Sequence, residues 1–575
     1  MKTITKIGWA LLSGFLIAAA WPVKGLAPLA FVAFVPLLFL QDRMGERENP
    51  EKGSIFWLSF IAFVVWNAIT TWWVWKTTAV GTIAMILLNS LLMAGVFWIY
   101  HFLKTRLYNN KKGYFLLIIS VLSFEYLHLH WQLNWPWLNL GNVFSHHYTW
   151  VQWYEITGSA GGTVWVLASN ILIYKYLLAS FRAKHSSSMS FRAKHSSPLS
   201  FRAKHSSPLS FRANHSSPLS FRAKRSGVEK SFSNKKYAVI TLCVVFIPLI
   251  ISKIMYHSYK ETGEDVEIVV VQPNLDPYTE EFTLSAPKIL ERNLSVAVPL
   301  VTENTRFVVS PESAIQEDIW LENIDNYFSI RELRKFIKQF PQTCYVIGIS
   351  AYGLAPDGSE TDFAARKFID ADKYFYAYNT ATLITVDSVQ IYHKSRLTPG
   401  VEMMPSWWFT RWLANLAIDL GGTVGTLKTD SSAKVFSFDN HRVGTLICYE
   451  SAFGEYVTEF VKNGAEMLFV ITNDGWWGNS PGHRQHLEFS SLRAIETRRS
   501  VARSANTGVS AFINQRGDII EKSKYWEQTA LRNILKTNDK QTFYVRYGDY
   551  LNKIAVILFV LSVILTVVKI IMRRK

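Results

Sequence analysis

The chain has 575 residues, of which 49% are hydrophobic and 14% aromatic, too long for one core and too apolar for an ordinary soluble protein, so membrane spans are the first feature to seek. Only three cysteines occur, Cys243, Cys344 and Cys448, which excludes a disulfide framework, and no C-x-x-C or comparable metal-ligand spacing is present. The formal charge of +17 is concentrated, because residues 180–230 hold eleven Lys and Arg against one Glu, or +10 of it; that argues for one basic segment and against a nucleic-acid-binding protein.

Apolar stretches fall at roughly 6–21, 26–40, 54–75, 78–103, 113–130, 151–179, 238–256 and 552–572, which predicts eight spans. The first two are short and joined by "WPVKGLAP", so a re-entrant pair is the alternative there. The first stretch makes a poor signal peptide, since it lacks a small-residue cleavage context and further spans follow. Basic residues sort the loops. Lys2 and Lys6, the loop near Arg43 and Arg47, "KTRLYNNKKG" at 104–113, the stretch 180–237 and the tail "MRRK" form one set. The opposite set holds "WPVKGLAP", the Trp-rich turn near Lys76, residues 131–150 and the long segment 257–551. Both termini are then expected in the cytoplasm and the long segment outside.

Residues 180–225 repeat with a period of ten, from "SFRAKHSSSM" through three "SFRA(K/N)HSSPL" copies to "SFRAKRSGVE". One aromatic, a basic pair and Ser or Pro per copy cannot bury a core, so a disordered, low-complexity cytoplasmic loop is expected over 180–237, with lipid headgroups as an incidental contact. His185, His195, His205 and His215 read as solvated. The domain plan is 1–179 membrane, 180–237 basic loop, 238–256 seventh span, 257–551 extramembrane domain, and 552–575 eighth span with tail.

Within 265–540, strand-like runs such as "VEIVVVQ", "RFVVSPE", "CYVIGISAY", "YNTATLITVDS", "SVQIYHKSRL", "RVGTLICYE" and "EMLFVITND" alternate with helical patterns, among them "LRKFIKQF", "FGEYVTEFVKNG" and "HRQHLEFSSLRAIETRRSVARS". This predicts one compact α/β domain tethered at both ends.

Three polar residues end strand-like runs of that domain. Cys448 in "GTLICYES" precedes a helix-like run, whose N–H groups and dipole would favour a thiolate. Taken alone it also reads as an inert buried thiol, as Cys243 and Cys344 do. Glu312 in "VVSPESAI" can be a partly desolvated base or a turn acid after Pro311. Lys394 in "YHKSRLTPG" can stabilise an oxyanion or belong to a solvated basic loop. Glu402 either orients a catalytic group or closes a turn.

In the order Glu, Lys, Cys the three are stronger together. With "PES", "HKSRL", "CYES", "NDGWWG" and "RAIETRRSVARSANTG", the domain resembles the nitrilase (carbon–nitrogen hydrolase) superfamily, which implies a Glu–Lys–Cys triad in an αββα sandwich. The eight-span unit, with "WPVKGLAPLAFVAFVPLL", "NWPWLNLGN" and "GSAGG", makes the whole chain similar to its membrane-embedded branch, the apolipoprotein N-acyltransferases. That resemblance implies a bacterial cytoplasmic-membrane enzyme whose catalytic domain faces outward. Glu312 would be the base, Cys448 the acyl-carrying nucleophile and Lys394 the oxyanion partner. Glu402 and Glu450 would support them and Tyr449 would help shape the pocket, with Asn473 at the lipid site; Trp476 and Trp477, with Trp407 and Trp408, either sit at the lipid interface and cover an acyl chain or pack as ordinary core. The implied partners are a phospholipid acyl donor, a diacylated apolipoprotein acceptor and membrane lipids; no cofactor, metal or nucleic acid is implied. The family often has Phe-Gly where this chain has Gly400-Val401, and the decapeptide array stands outside the pattern. A membrane-tethered amidase that passes its acyl group to water is the enzymatic alternative. A non-catalytic lipid-binding or transport protein is the other, with Glu125 its clearest intramembrane ionisable residue.

Overall fold

The computed structural model describes residues 1–23, 25–46, 54–193, 219–281, 283–404 and 426–573. In the membrane half the helices are α1 (Thr3–Ala20), α2 (Val35–Met44), α3 (Ile55–Thr71), α4 (Ala79–Tyr108), α5 (Phe115–Leu129), α6 (Ser159–Ala193) and α7 (Leu219–Ser258). A last helix, α12 (Tyr550–Met572), returns after the α/β domain and packs on α5, where the Asn552 amide donates to the Leu122 carbonyl at 3.0 Å. Among the described residues seven helical stretches are long and apolar enough to cross a membrane, and α5 is the shorter eighth, with 15 residues. At ~1.5 Å per residue α5 reaches only ~22 Å, against a hydrocarbon core of ~30 Å.

Two expected boundaries move. The sixth span begins at Ser159, because residues 140–150 form a 3₁₀ segment and Gly158 takes φ +59° ahead of the helix. Helix α6 continues past 179 to Ala193 and α7 starts at Leu219, so the limits of the expected loop at 180 and 237 fall inside helices; the remainder of the array, 194–218, lies outside the described residues.

The α/β domain contains β1 (Asp265–Gln272), β2 (Thr305–Val309), β3 (Ile315–Trp320), β4 (Cys344–Leu354), β5 (Arg366–Lys367), β6 (Tyr374–Ile384), β7 (Val389–His393), β8 (Val435–Phe438), β9 (His441–Ile447), β10 (Met467–Thr472), β11 (Val501–Ala505), β12 (Ala511–Ile513), β13 (Ile519–Lys522) and β14 (Thr529–Lys536). One sheet runs β14-β1-β2-β4-β6-β5, with β3 beside β4 and β7 beside β6; the other runs β13-β12-β11-β10-β9-β8. Alternation along each strand decides how the layers stack, since successive side chains point to opposite faces. In β1, Ile268 and Val270 join the core shared with the second sheet, while Val269 and Val271 meet Leu290 of α8 (Ala286–Ala297) and Leu333 and Ile337 of α9 (Phe328–Gln339). Phe307 of β2 meets Phe469 of β10 across the sheets, with ring centroids 5.2 Å apart. Helices α10 (Gly454–Lys462) and α11 (Pro481–Thr497) contribute Val457, Phe460, Leu492 and Ile495 to the second sheet's core. The expected αββα sandwich is the observed architecture.

The connections assigned to one side of the membrane all meet this domain. The Pro22 carbonyl accepts from Gln485 at 2.8 Å, the Lys76 carbonyl from the Tyr278 hydroxyl at 3.2 Å, and the Gln152 side chain donates to the Arg516 carbonyl at 2.9 Å. The basic loops gather at the other end of the bundle, where Lys104 pairs with Asp42 and the Lys569 ammonium donates to the Leu107 carbonyl at 2.6 Å.

Candidate active site

Glu312 follows β2 in a turn held against β4. The Gly348 N–H donates to the Pro311 carbonyl at 3.0 Å, and a Cβ at Gly348 would stand 2.6 Å from the Glu312 Cα, so the close approach requires glycine. Lys394 is the first residue after β7, and its N–H donates to the Asn379 carbonyl on neighbouring β6 at 2.8 Å. These two strand ends bring the side chains together: the Lys394 ammonium donates to Glu312 Oε1 at 2.9 Å and to Glu402 Oε1 at 2.8 Å. The Asn379 amide donates to the same two oxygens, at 2.8 and 2.9 Å. Burial opposes the charge on Lys394, but the Glu312 and Glu402 carboxylates outweigh it and hold its pKa well above the usual range. Burial likewise opposes ionisation of Glu402, and the Lys394 charge with its hydrogen bonds brings that carboxyl below its ordinary value. Glu402 also closes a turn, its Oε2 accepting from the Thr398 N–H at 2.8 Å.

Cys448 stands directly after β9, at the first position of a short 3₁₀ turn, with φ +49°. That left-handed conformation costs a non-glycine residue ~1–2 kcal/mol and is characteristic of residues whose orientation serves a site. The sulfur lies within the electrostatic reach of both Glu312 and Lys394. Its protonation differs from the thiolate expected from position alone. Burial, and then the Glu312 charge, push the Cys448 thiol well above its ordinary pKa, and the Lys394 cation only partly offsets them.

Glu450 holds the elbow from behind. Its Oε1 accepts from the Tyr392 hydroxyl at 2.5 Å and the Ser395 N–H at 2.7 Å, and its Oε2 accepts from the Ile447 N–H at 2.8 Å. One carboxyl thus fixes the residue after Lys394 and the residue before Cys448. Burial raises it to about 7 despite these hydrogen bonds. Tyr449 points the other way: its hydroxyl donates to the Asn134 carbonyl at 2.9 Å and its ring stacks on Trp137, with centroids 6.0 Å apart and planes 12° apart. Trp477 packs edge-on against Trp73 and Trp137 of the membrane half, and Trp476 against Tyr278. Asn473 donates its N–H to Glu312 Oε2 at 3.1 Å, which places it beside the carboxylates. Trp407 and Trp408 lie outside the described residues.

Sequence reasoning passed over several groups. Asn379 lies in the quoted "YNTATLI" strand, so its signal was present. Glu281 is 2% exposed and accepts from the Asn473 side-chain amide at 2.6 Å; nothing in "PYTEEFT" distinguishes it from its neighbour. The sulfur of Cys448, a carboxylate oxygen of Asp474 and a ring nitrogen of His486 lie within 4.8 Å of one another, a spacing a metal ion could bridge. Asp474 is already engaged, accepting from Arg503 at 2.6 Å and from the Thr472 hydroxyl at 2.8 Å, with His486 Nδ1 at 2.9 Å. His486 Nε2 stands 3.1 Å from the Cys448 carbonyl, so this cluster braces the elbow's backbone.

Residues 13–172 match the family model described as the apolipoprotein N-acyltransferase N-terminal domain, and residues 285–536 match that of the carbon–nitrogen hydrolases. One chain thus carries matches to both domains, the first of them specific to the apolipoprotein N-acyltransferases. Similar proteins include the apolipoprotein N-acyltransferase of Chlorobaculum tepidum, 28% identical with 94% of this chain and 92% of the relative covered, and that of Geobacter metallireducens, 24% identical with 94% and 91% covered. The protein so named from Thermotoga maritima is 23% identical, with 97% and 93% covered. Among solved structures, the chain is similar to Saccharomyces cerevisiae Nit3, a member of the nitrilase superfamily, at 15% identity over 48% of this chain and 93% of that one, with a TM-score of 0.35. The two matches fall on the two halves of the chain, the apolar helices and the αββα domain.

Proposed function

We propose that this protein transfers an acyl chain from the sn-1 position of a membrane phospholipid to the α-amino group of the N-terminal S-diacylglyceryl-cysteine of apolipoproteins, in two half-reactions joined by a thioester on Cys448. The observation that carries the reading is the convergence of Glu312, Lys394 and Glu402 on one hydrogen-bonded centre beside a cysteine whose next residue is bonded to the membrane half. The sulfur attacks the ester carbonyl while Glu312 takes the thiol proton, which passes to the departing hydroxyl of the lysophospholipid. Because burial keeps the resting thiol protonated, that transfer accompanies attack and does not precede it. Lys394 offers its cation to the tetrahedral oxyanion. Glu402 and Asn379 hold the ammonium and the base in register, and Glu450 and Tyr449 set the elbow.

Passing the acyl group to an amine and not to water is supported by the aromatic floor of Trp73, Trp137 and Trp477, which suits a lipid-anchored acceptor. The distribution of basic residues supports a cytoplasmic-membrane location with both termini inside and the catalytic domain outside. The test is mass analysis of protein incubated with phospholipid. The parent chain gains an acyl group on Cys448, and Cys448→Ala inserts in the membrane but gains none. An adduct on the variant, or none on the parent, defeats the assignment. Addition of a diacylated lipopeptide then yields an N-acylated product, whereas equal release of free fatty acid with and without lipopeptide identifies a hydrolase.

A further inference from the structure

The two half-reactions of the acyl-transfer reading, on which this inference rests, differ in their proton count. In the first, the S–C bond forms as the ester C–O bond breaks, and the thiol proton ends on the lysophospholipid hydroxyl, so no proton is gained or lost. In the second, the acceptor arrives as an ammonium with three protons. The C–N bond forms, the C–S bond breaks, one proton stays on the amide and one returns to sulfur. The third must leave. Glu312 already shuttles the proton that returns to sulfur, so the surplus one needs a different acceptor.

Glu281 is placed to be that acceptor. Its turn is pinned from outside: Glu280 accepts from Arg292 at 2.8 and 3.2 Å and faces outward, while the next carboxyl turns inward and is 2% exposed. Asn473 bridges it to the base, donating its side-chain amide to Glu281 Oε2 at 2.6 Å and its backbone N–H to Glu312 Oε2 at 3.1 Å. Among the described residues no Lys or Arg pairs with Glu281, Oε1 takes no hydrogen bond, and Glu312 is the charged group that acts on it. A buried carboxyl without a cation beside a catalytic base is an open position for a cation, and the acceptor's ammonium supplies one. We infer that Glu281 binds the acceptor ammonium and takes its surplus proton as the amine attacks the thioester. Burial, with the Glu312 charge adding to it against the Asn473 hydrogen bond, raises Glu281 to about 8 before the acceptor binds, so at pH 7 it rests protonated. The arriving ammonium favours the ionised form, the resting proton leaves to solvent as the acceptor binds, and the carboxylate then takes the amine's surplus proton.

Glu281→Gln keeps the volume and the oxygen that accepts from Asn473 but cannot bind the proton. The full-length variant, loaded with phospholipid and then mixed with a diacylated lipopeptide, is expected to acylate Cys448 within about twofold of the parent rate and to discharge to the lipopeptide at least ~10-fold more slowly at pH 7. Its discharge rate is expected to climb ~10-fold per pH unit below the amine's pKa, as for a reaction that must wait for free amine, while the parent's profile is flatter. Glu303→Gln, at an exposed position ahead of β2, is expected to leave both steps unchanged. Unchanged discharge in Glu281→Gln, equal loss in loading and discharge, or the parent's pH slope in the variant overturns the inference alone. Absence of an acyl adduct on the parent overturns the acyl-transfer reading beneath it.

Discussion

At the residue scale, the buried carboxyls Glu281, Glu312 and Glu450 and the part-buried Glu402 are set apart by their partners. Glu402 shares a cation with Glu312, Glu450 is bound to neutral donors, and Glu281 has one amide partner. Sequence order alone made Glu312, Lys394 and Cys448 legible, because each follows a strand that points into the same end of the sandwich. The partners of Glu281 and Asn379 come from strands and turns distant in the chain, and no local pattern records such meetings. Thiol protonation was also illegible, since burial and the Glu312 charge outweigh the position before a helical turn. Gly348 is the sharpest test of this geometry, because its missing Cβ is what admits the Glu312 turn. Gly348→Ala is expected to cost ~1–3 kcal/mol in stability through overpacking and to slow Cys448 acylation at least ~10-fold by displacing the base. Thermal unfolding and the rate of adduct formation measure the two effects, and an unchanged acylation rate would show that the turn can yield without moving Glu312.

At the scale of elements, strands were read well and one helix was read too long. The pattern from 483 to 504 suggests a single amphipathic helix, yet α11 stops at Thr497, Arg498 adopts φ +52°, and β11 begins at Val501. The arginines that look like a solvated face are buried: Arg493 bonds Glu496, Arg499 donates to the Ala465 and Lys540 carbonyls, and Arg503 bonds Asp474. Charge normally marks a surface, so their pairing inside the domain hid the strand that carries Arg503. This strand end matters to the elbow, because Arg503 and His486 both meet Asp474. Arg503→Leu leaves the Asp474 charge buried without its cation and is expected to destabilise the fold by ~3–5 kcal/mol. A loss under about 1 kcal/mol in calorimetry of the solubilised chain would mean that Asp474 is adequately held by His486 and Thr472 alone.

At the scale of the whole molecule, hydropathy locates the eight apolar helices found among the described residues, and basic residues divide the loops as the contacts divide them. Pro22, Thr77, Asn134 and Gln152 bond the α/β domain, and the basic connections lie at the far end of the bundle. What hydropathy missed is depth, since an apolar run does not report that α5 ends early and that 3₁₀ turns replace its next stretch. Under the proposed orientation, a single cysteine introduced at Asn304 is expected to react with a membrane-impermeant maleimide in intact spheroplasts, and one at Lys111 only after lysis. The reverse pattern would invert the orientation.

The bond from Tyr449 to Asn134 ties the residue beside Cys448 to the membrane half as well as to its own domain. The sulfur is therefore held at a fixed height over the bilayer, and that height acts as a gauge. An ester or an amine that rides too deep in the hydrocarbon, or too far out in water, does not come level with the attacking atom, whatever its shape. Under the proposed acyl transfer, selection among lipids and lipid-anchored peptides would begin with how far each reacting group stands from the bilayer midplane, before any pocket touches it.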